Sequence, residues 1–216
     1  MKNSISIVLL GDIAAGKGTQ AKIIAAKYIL KLIDTGAYSR KILTGKSKVS
    51  QRLARIKLGK LAPSDIIQQY LQKSLGSFKA SQGVLIDGGK MPAEARLIYG
   101  IFQKQGRTPL VIYLSIGKAE IFRRLRFRYY CSKTGEPLIL KTSKLVCPKH
   151  GDKVIKRADD DQQAIRNRIA YYDRVYSKTV KFWRQKRLLR KINGKQSVVK
   201  VTKDIIGAVR DFYGAR

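Results

Sequence analysis

Residues 11–20 read Gly11-Asp12-Ile13-Ala14-Ala15-Gly16-Lys17-Gly18-Thr19-Gln20. An apolar run, Ile5-Ser6-Ile7-Val8-Leu9-Leu10, precedes them, and a helical pattern from Ala21 to Ala26 follows. Strand, glycine-bounded loop, lysine and helix is the setting in which a loop wraps a phosphate chain. Backbone N–H groups of the loop and of the helix N-terminus point at the anion, and Lys17 adds a mobile positive charge. Gly11 and Gly16 permit dihedrals and close approaches that a Cβ would block. Where the general pattern has Ser or Thr directly after the lysine, Gly18 intervenes here and Thr19 follows. A glycine-rich turn between strand and helix can be purely structural, but this spacing and these flanks favour phosphate.

Outward from the loop, apolar runs alternate with helical patterns. Strands are expected at 5–10, 83–87, 109–115 and 188–192, with a short one at 31–33. Their unbroken apolar character suits a parallel sheet buried on both faces. Helices are expected over 17–28, 36–44, 48–58, 63–74, 92–104, 117–127, 160–185 and 198–212. Pro63-Ser64-Asp65 is a helix-start signal, as is Thr202-Lys203-Asp204 one turn inside the last helix. The alternation predicts a doubly wound α/β domain. Residues 129–158 interrupt it. They are rich in Lys, Pro and Gly, hold Cys131, Cys147 and His150, and show short β-like runs such as Leu138-Ile139-Leu140. This segment is expected to be an insertion that folds as a small flap.

Composition narrows the class. A chain of 216 residues with 44% apolar content supports one domain with a packed core. No apolar run approaches the ~18 residues a membrane span needs, and no signal-peptide pattern opens the chain. Two cysteines make no disulfide framework. An intracellular, cytoplasmic location is the expectation. Forty-six Lys and Arg against 14 Asp and Glu give a net charge of +32. That balance implies contact with polyanions, or else a generally basic proteome or an adaptation to high internal salt. The basic residues are spread over the whole chain, so weak, salt-sensitive, non-specific binding is the expectation.

Further motifs, in order along nearly the whole chain, resemble the adenylate kinase family of nucleoside monophosphate kinases, in the long form with a LID insertion. The loop ends in Gly16-Lys17-Gly18-Thr19, Asp34-Thr35-Gly36-Ala37-Tyr38-Ser39-Arg40 looks like STGDxxR, and Leu58-Gly59-Lys60-Leu61-Ala62-Pro63 looks like GKLVP. Gly83 to Gly88 resembles the strand leading into DGFPR. Arg124 and Arg128 precede Cys131 at the family spacing, Arg157-Ala158-Asp159-Asp160 resembles RxDD, and Arg168 follows. The resemblance implies a P-loop three-layer sandwich with a central parallel sheet plus a small β-rich LID. It divides the chain into a CORE, 1–128 and 159–216, with an acceptor-binding helical part at about 35–64, and a LID at 129–158.

It also implies roles. Gly11, Ala14, Ala15, Gly16, Lys17, Gly18 and Thr19 would hold the donor phosphates, and Arg124 would lie against the ATP base. Arg128, Arg157 and Arg168 would converge on the phosphates, where permanently charged guanidinium forks offset the charge of the transferring group. Thr35, Gly36, Arg40, Leu61, Ala62 and Gly88 would meet AMP, with Lys90, Arg157 and Arg168. Asp87 would place Mg²⁺ through water. Asp159 and Asp160 can also serve as helix-start charges that pair with nearby arginines.

Two departures stand out. After Asp87 the chain reads Gly88-Gly89-Lys90-Met91-Pro92: the family's acceptor-gripping Arg is absent, its Pro is displaced, and Lys90, a point charge without a fork, is the nearest substitute. Ala93-Glu94-Ala95-Arg96 shows no clear equivalent of the base-reading Gln, and Ala37 replaces the Asp of STGD. In the flap, Cys131-x-x-Thr134-Gly135 and Cys147-x-x-His150-Gly151 mimic two zinc-knuckle halves with Thr134 in place of one cysteine. Three arrangements stay open: a three-ligand structural zinc site on Cys131, Cys147 and His150, a metal-free hydrogen-bonded network, or a disulfide. The expected activity is reversible transfer from MgATP to AMP giving two ADP, by a monomer with no membrane association. A kinase of the same fold acting on CMP or UMP, and an RNA- or ribosome-associated NTP-binding protein with weak kinase activity, are the rival expectations.

Overall fold

The computed structural model describes residues 4–43, 62–79, 81–135, 137–140, 145–156 and 162–214. The helix expected at 48–58 lies outside them, as do Leu61, Arg157, Asp159 and Asp160. The described elements run β1 (Ser6–Gly11), α1 (Lys17–Lys27), β2 (Lys31–Asp34), α2 (Thr35–Leu43), α3 (Ser64–Gly76), β3 (Val84–Asp87), α4 (Pro92–Lys104), β4 (Leu110–Ser115), α5 (Lys118–Arg126), β5 (Arg128–Cys131), β6 (Pro137–Ile139), β7 (Val154–Ile155), α6 (Gln162–Gln185), β8 (Leu189–Asn193) and α7 (Val198–Gly214).

The apolar runs form a five-stranded parallel sheet in the order β2-β3-β1-β4-β8. Every residue of β1 is buried, as the unbroken run Ile7-Val8-Leu9-Leu10 requires of a strand covered on both faces. Right-handed crossovers that step left from β1 and right from β3 place their helices on opposite faces. Accordingly α1 packs with α7, and α4 packs with α3 and α6, giving three layers. Phe102 and Trp183, both fully buried, fill the α4–α6 side. Tyr99, Phe182 and Trp183 meet edge to face there, at centroid distances of 5.1–6.1 Å.

Strand order reverses beside β1, so a crevice opens at the carboxyl ends of the strands, where open α/β sheets bind ligands. In-register pairing brings Gly11, Asp34, Asp87 and Asn193 to that edge. The insertion forms its own antiparallel sheet, β6-β5-β7, beginning at Arg128. The last helix does not start at Thr202. Ser197 caps it, its hydroxyl accepting the Lys200 amide at 3.3 Å. The Thr202 hydroxyl donates back to the Val198 carbonyl at 2.8 Å.

Candidate functional site

The loop after β1 is held open by contacts from distant elements. A Cβ at Gly11 would fall 2.6 Å from the Leu114 carbonyl oxygen, so only glycine lets β1 run on beside β4. The buried Gly11 amide donates to the Tyr176 hydroxyl of α6 at 2.6 Å. Asp12 ties the loop to the start of α5. Its Oδ2 accepts the amides of Ile116 at 2.7 Å and Gly117 at 3.0 Å, and its Oδ1 accepts the Tyr113 hydroxyl. Ala14 sits at φ 59° and Gly16 at φ 87°, so the loop turns back before α1. Gly16 then leads α1 without a side-chain cap. The first amides of α1 are therefore available to an anion.

Lys17 Nζ lies 2.8 Å from the Gly11 carbonyl oxygen and 2.6 Å from the Asp12 carbonyl oxygen. Its charge also acts on Asp87, whose carboxyl is pushed up chiefly by burial, with Lys17 opposing. The Asp87 carboxylate lies beside Gly18, 3.9 Å from where a Cβ there would stand. The structure thus brings Lys17, Gly18 and Asp87 to one place at the head of β1 and β3, with Thr19 next along α1. A buried carboxylate at this edge is a hard oxygen donor of the type a hydrated Mg²⁺ takes.

Arg124 closes the other flank. It donates to the Ala14 carbonyl at 3.2 Å and to the Gly194 carbonyl at 2.7 Å. Glu120, one helical turn earlier, holds it at 2.7 Å. Hydrogen bonds from Arg123 and Arg124 draw the Glu120 carboxyl down to about 2. A Cβ at Gly194 would strike the Ile116 side chain at 2.8 Å and approach the Ala15 carbonyl at 3.5 Å, so the β8–α7 loop sits directly on the phosphate loop.

On the acceptor side Thr35 is buried, donates to the Asp87 carbonyl at 3.2 Å, and covers Gly88 so closely that a Cβ there has no room. Asp34 caps α2, its Oδ1 accepting the Ala37 amide at 2.8 Å, and its Oδ2 lies 3.8 Å from Arg40. Stacked rings of Tyr38 and Tyr70, 3.8 Å apart, join α2 to α3, and Ala62 packs against the core beside them. In the altered segment, Gly89 turns at φ 74° and all described peptides are trans. Lys90 is fixed through its carbonyl, which accepts Thr179 Oγ1 at 2.8 Å, and its charge acts on both Asp87 and Glu94. Glu94 is buried and accepts the Met91 amide at 3.1 Å. Burial pushes its carboxyl up to about 7.

The insertion sheet carries Arg128, whose guanidinium lies 5.6 Å over the Tyr130 ring. Arg168 falls on α6; the structure describes its backbone only. Below them the two Cys-x-x-X-Gly segments fold as the same turn. Gly135 and Gly151, at φ 65° and 72°, each donate at 2.8 Å to the carbonyl of the cysteine four residues back. Cys131 and Cys147 are buried free thiols rather than a disulfide. With His150 their donor atoms lie within 4.8 Å of one another. The His150 Nδ1 distances, 3.4 Å to Cys147 Sγ and 3.7 Å to Cys131 Sγ, match the edges of a tetrahedron with zinc bonds of about 2.0–2.3 Å. Thr134 hydrogen-bonds to Cys131 and is the main cause drawing its thiol down to about 6.

Sequence reasoning missed the supports: Asp12, Tyr176, Glu120, Asp34 and the Gly194 loop. Glu120 was findable from its four-residue spacing to Arg124, and Gly194 from the Asn193-Gly194 turn after an apolar run. Nothing local marks Tyr176.

A sequence model described as adenylate kinase matches residues 9–188. The adenylate kinase of Lactobacillus acidophilus is 31% identical over 210 residues, covering 93% of this chain and 96% of that protein. Those of Clostridium acetobutylicum and Staphylococcus aureus are 27% and 28% identical over 209 residues. These matches cover 93% and 94% of this chain and 97% of each relative. The chain belongs to the adenylate kinase family.

Proposed function

We infer that this member of the adenylate kinase family catalyses reversible phosphoryl transfer from MgATP to AMP, giving two ADP. The family match carries the reading, and the junction of Lys17, Gly18 and Asp87 at the head of β1 and β3 supplies its chemistry. An oxygen of the acceptor phosphate attacks the terminal phosphorus of ATP, and the bond to the bridging oxygen breaks. The acceptor oxygen is already anionic, so no general base is needed. Catalysis then rests on placement and positive charge. In our reading Lys17 leaves the Gly11 and Asp12 carbonyls for the donor phosphates, which the α1 amides and Thr19 also hold. Arg128, Arg157 and Arg168 gather on the transferring group.

ATP and Mg²⁺ use comes with the family. When bound, Mg²⁺ neutralises phosphate charge, and Asp87 is the residue that would hold it through water. On the donor side the base would lie between Arg124 and the start of α7, where Val198 is 52% exposed. On the acceptor side Thr35, Gly36, Arg40, Leu61, Ala62, Gly88 and Lys90 would meet AMP. The segment 129–158 would close over ATP as a LID, excluding water and suppressing hydrolysis. We assign Cys131, Cys147 and His150 to a structural zinc that stiffens it, on the donor types and the tetrahedral spacing. No described helix is long and apolar enough to cross a membrane. A cytoplasmic monomer is the proposed state, resting on its nucleotide substrates.

The test is ADP formation from purified protein with Mg²⁺, ATP and each of AMP, CMP and UMP. Turnover with AMP well above the others is expected; no AMP-dependent ADP would sink the reading. Metal analysis of protein purified without added zinc should find about one zinc per chain, lost in Cys147→Ser.

A further inference from the structure

Acidic side chains are scarce in this chain, and several are committed inside the fold. Asp12 holds the start of α5, Asp34 caps α2, Asp87 and Glu94 are buried, and Glu120 is held by Arg123 and Arg124. Most of the described basic side chains face outward, and a long run of the chain without an acidic residue is rich in them. From Arg174 to Lys203 there are eleven Lys and Arg and no Asp or Glu. All eleven are exposed. Among the described residues no salt bridge reaches any of them.

Their placement makes a surface. Arg174, Lys178 and Lys181 follow one another at helical spacing along the second half of α6. Arg184, Lys186 and Arg187 mark its end and the turn beyond. Arg190 and Lys191 lie on β8, the outermost strand on that side of the sheet, and Lys195 lies in the next loop. Lys200 and Lys203 open α7. Because α6 and α7 both pack against β8, these elements share one edge of the molecule. Between 174 and 197 no large hydrophobic side chain is exposed; Val198 and Val199 stand only at the far end. A surface that docks on a bilayer presents an apolar face beside its charges. This one offers charge alone, including four guanidinium forks suited to phosphate oxygens.

We propose that this edge, centred on α6 and β8 and bordering the kinase site only at the start of α7, binds the phosphate backbone of single-stranded RNA without sequence choice, as a second property of the chain and independent of that reading. Such binding is driven by counterion release, so it weakens steeply with salt. Lys and Arg on an open strand also deter edge-to-edge pairing of sheets. That alternative predicts no localised affinity.

The test is fluorescence anisotropy of a labelled oligouridine of about 20 nucleotides across a salt series. It compares two variants of the full chain with equal charge change. One carries Lys178→Glu, Lys181→Glu, Arg190→Glu and Lys191→Glu. The other carries Lys27→Glu, Lys31→Glu, Lys73→Glu and Lys104→Glu, exposed positions on other elements including the opposite edge strand β2. The first should lose RNA affinity at least ~10-fold at low salt, and its log–log salt slope should shrink by about 3, with AMP-dependent ADP formation unchanged. The second should lose less than ~3-fold. If the first variant fails to fold, Gln at the same four positions should give the same order of effects at smaller size. Equal losses in both sets, tighter binding to anionic phosphatidylglycerol vesicles than to RNA, or no measurable RNA binding by the unsubstituted protein would each overturn the proposal.

Discussion

Tyr176 receives the amide hydrogen of Gly11 across 2.6 Å, although 165 residues separate the two. A hydroxyl from the middle of α6 thus satisfies the last buried donor of β1, at the point where the strand gives way to the phosphate loop. Tyr176→Phe keeps the ring and removes the acceptor. Leaving a buried N–H without a partner costs about 1–3 kcal/mol. Urea denaturation should show a loss of that size, and KM for ATP should rise more than KM for AMP. Unchanged stability and unchanged KM would show that Tyr176 is incidental to the loop.

Asp12 anchors the two residues that lead into α5 as much as it shapes the loop. Asp12→Ala leaves the Ile116 and Gly117 amides without their acceptor, at a cost of about 1–3 kcal/mol. Through α5 it also loosens Arg124. Asp12→Asn keeps an acceptor oxygen and should recover most of the stability. Steady-state kinetics should find KM for ATP raised in the alanine variant by about threefold or more, with Asn in between.

Asp34 lies 3.8 Å from Arg40 and would compete for it with an acceptor phosphate bound as proposed. It also places a negative charge at the helix N-terminus, where an anion would otherwise be favoured. Asn is as good a cap as Asp, so Asp34→Asn leaves α2 intact. Removing the charge should lower KM for AMP about three- to tenfold. Arg40→Ala should raise it. A higher KM in Asp34→Asn would show that the carboxylate orients Arg40 for the substrate instead.

Glu94 gives the fold a pH dependence of unusual sign. Its carboxyl is raised by burial to about 7 from 4.5. Between those values the native protein holds a proton that the unfolded chain has released, so unfolding free energy falls as pH rises through this window. Above pH 7 the full penalty applies, on the order of 3 kcal/mol. Glu94→Gln keeps an oxygen for the Met91 amide. It should flatten the dependence of stability between pH 4.5 and 7 and stabilise the protein at pH 8. A variant no more stable than the parent at pH 8 would contradict this.

The elements themselves were legible because their signals are local. The run Ile7 to Leu10 can only be a buried strand, and the periodicity of 92–104 and 160–185 names two helices within two residues of their observed starts. Lys17, Asp87 and Arg124 were legible for a different reason: each carries chemistry in a recognisable frame. What was not legible is which side chains hold those frames in place. Tyr176 satisfies Gly11 only because α6 crosses the sheet at that height, a fact of packing with no trace in the nearby sequence. Asp34 opens the segment that resembles STGDxxR, but its bond to the Ala37 amide and its approach to Arg40 depend on how β2 turns into α2. Thr202 misled because a hydroxyl inside a helix bonds backwards as readily as it caps.

The bond from Arg124 to the Gly194 carbonyl has a consequence for the chain as it is made. The first nineteen residues contain the loop, yet the loop's far wall comes from residue 124, its strand anchor from 176 and its roof from 194. A nascent chain stopped before Gly194 carries the phosphate-binding motif without the parts that shape it. A chain that stops before β8 and α7 should therefore hold a nucleotide more weakly than the finished one, because the contacts from Tyr176 and Gly194 are not yet made.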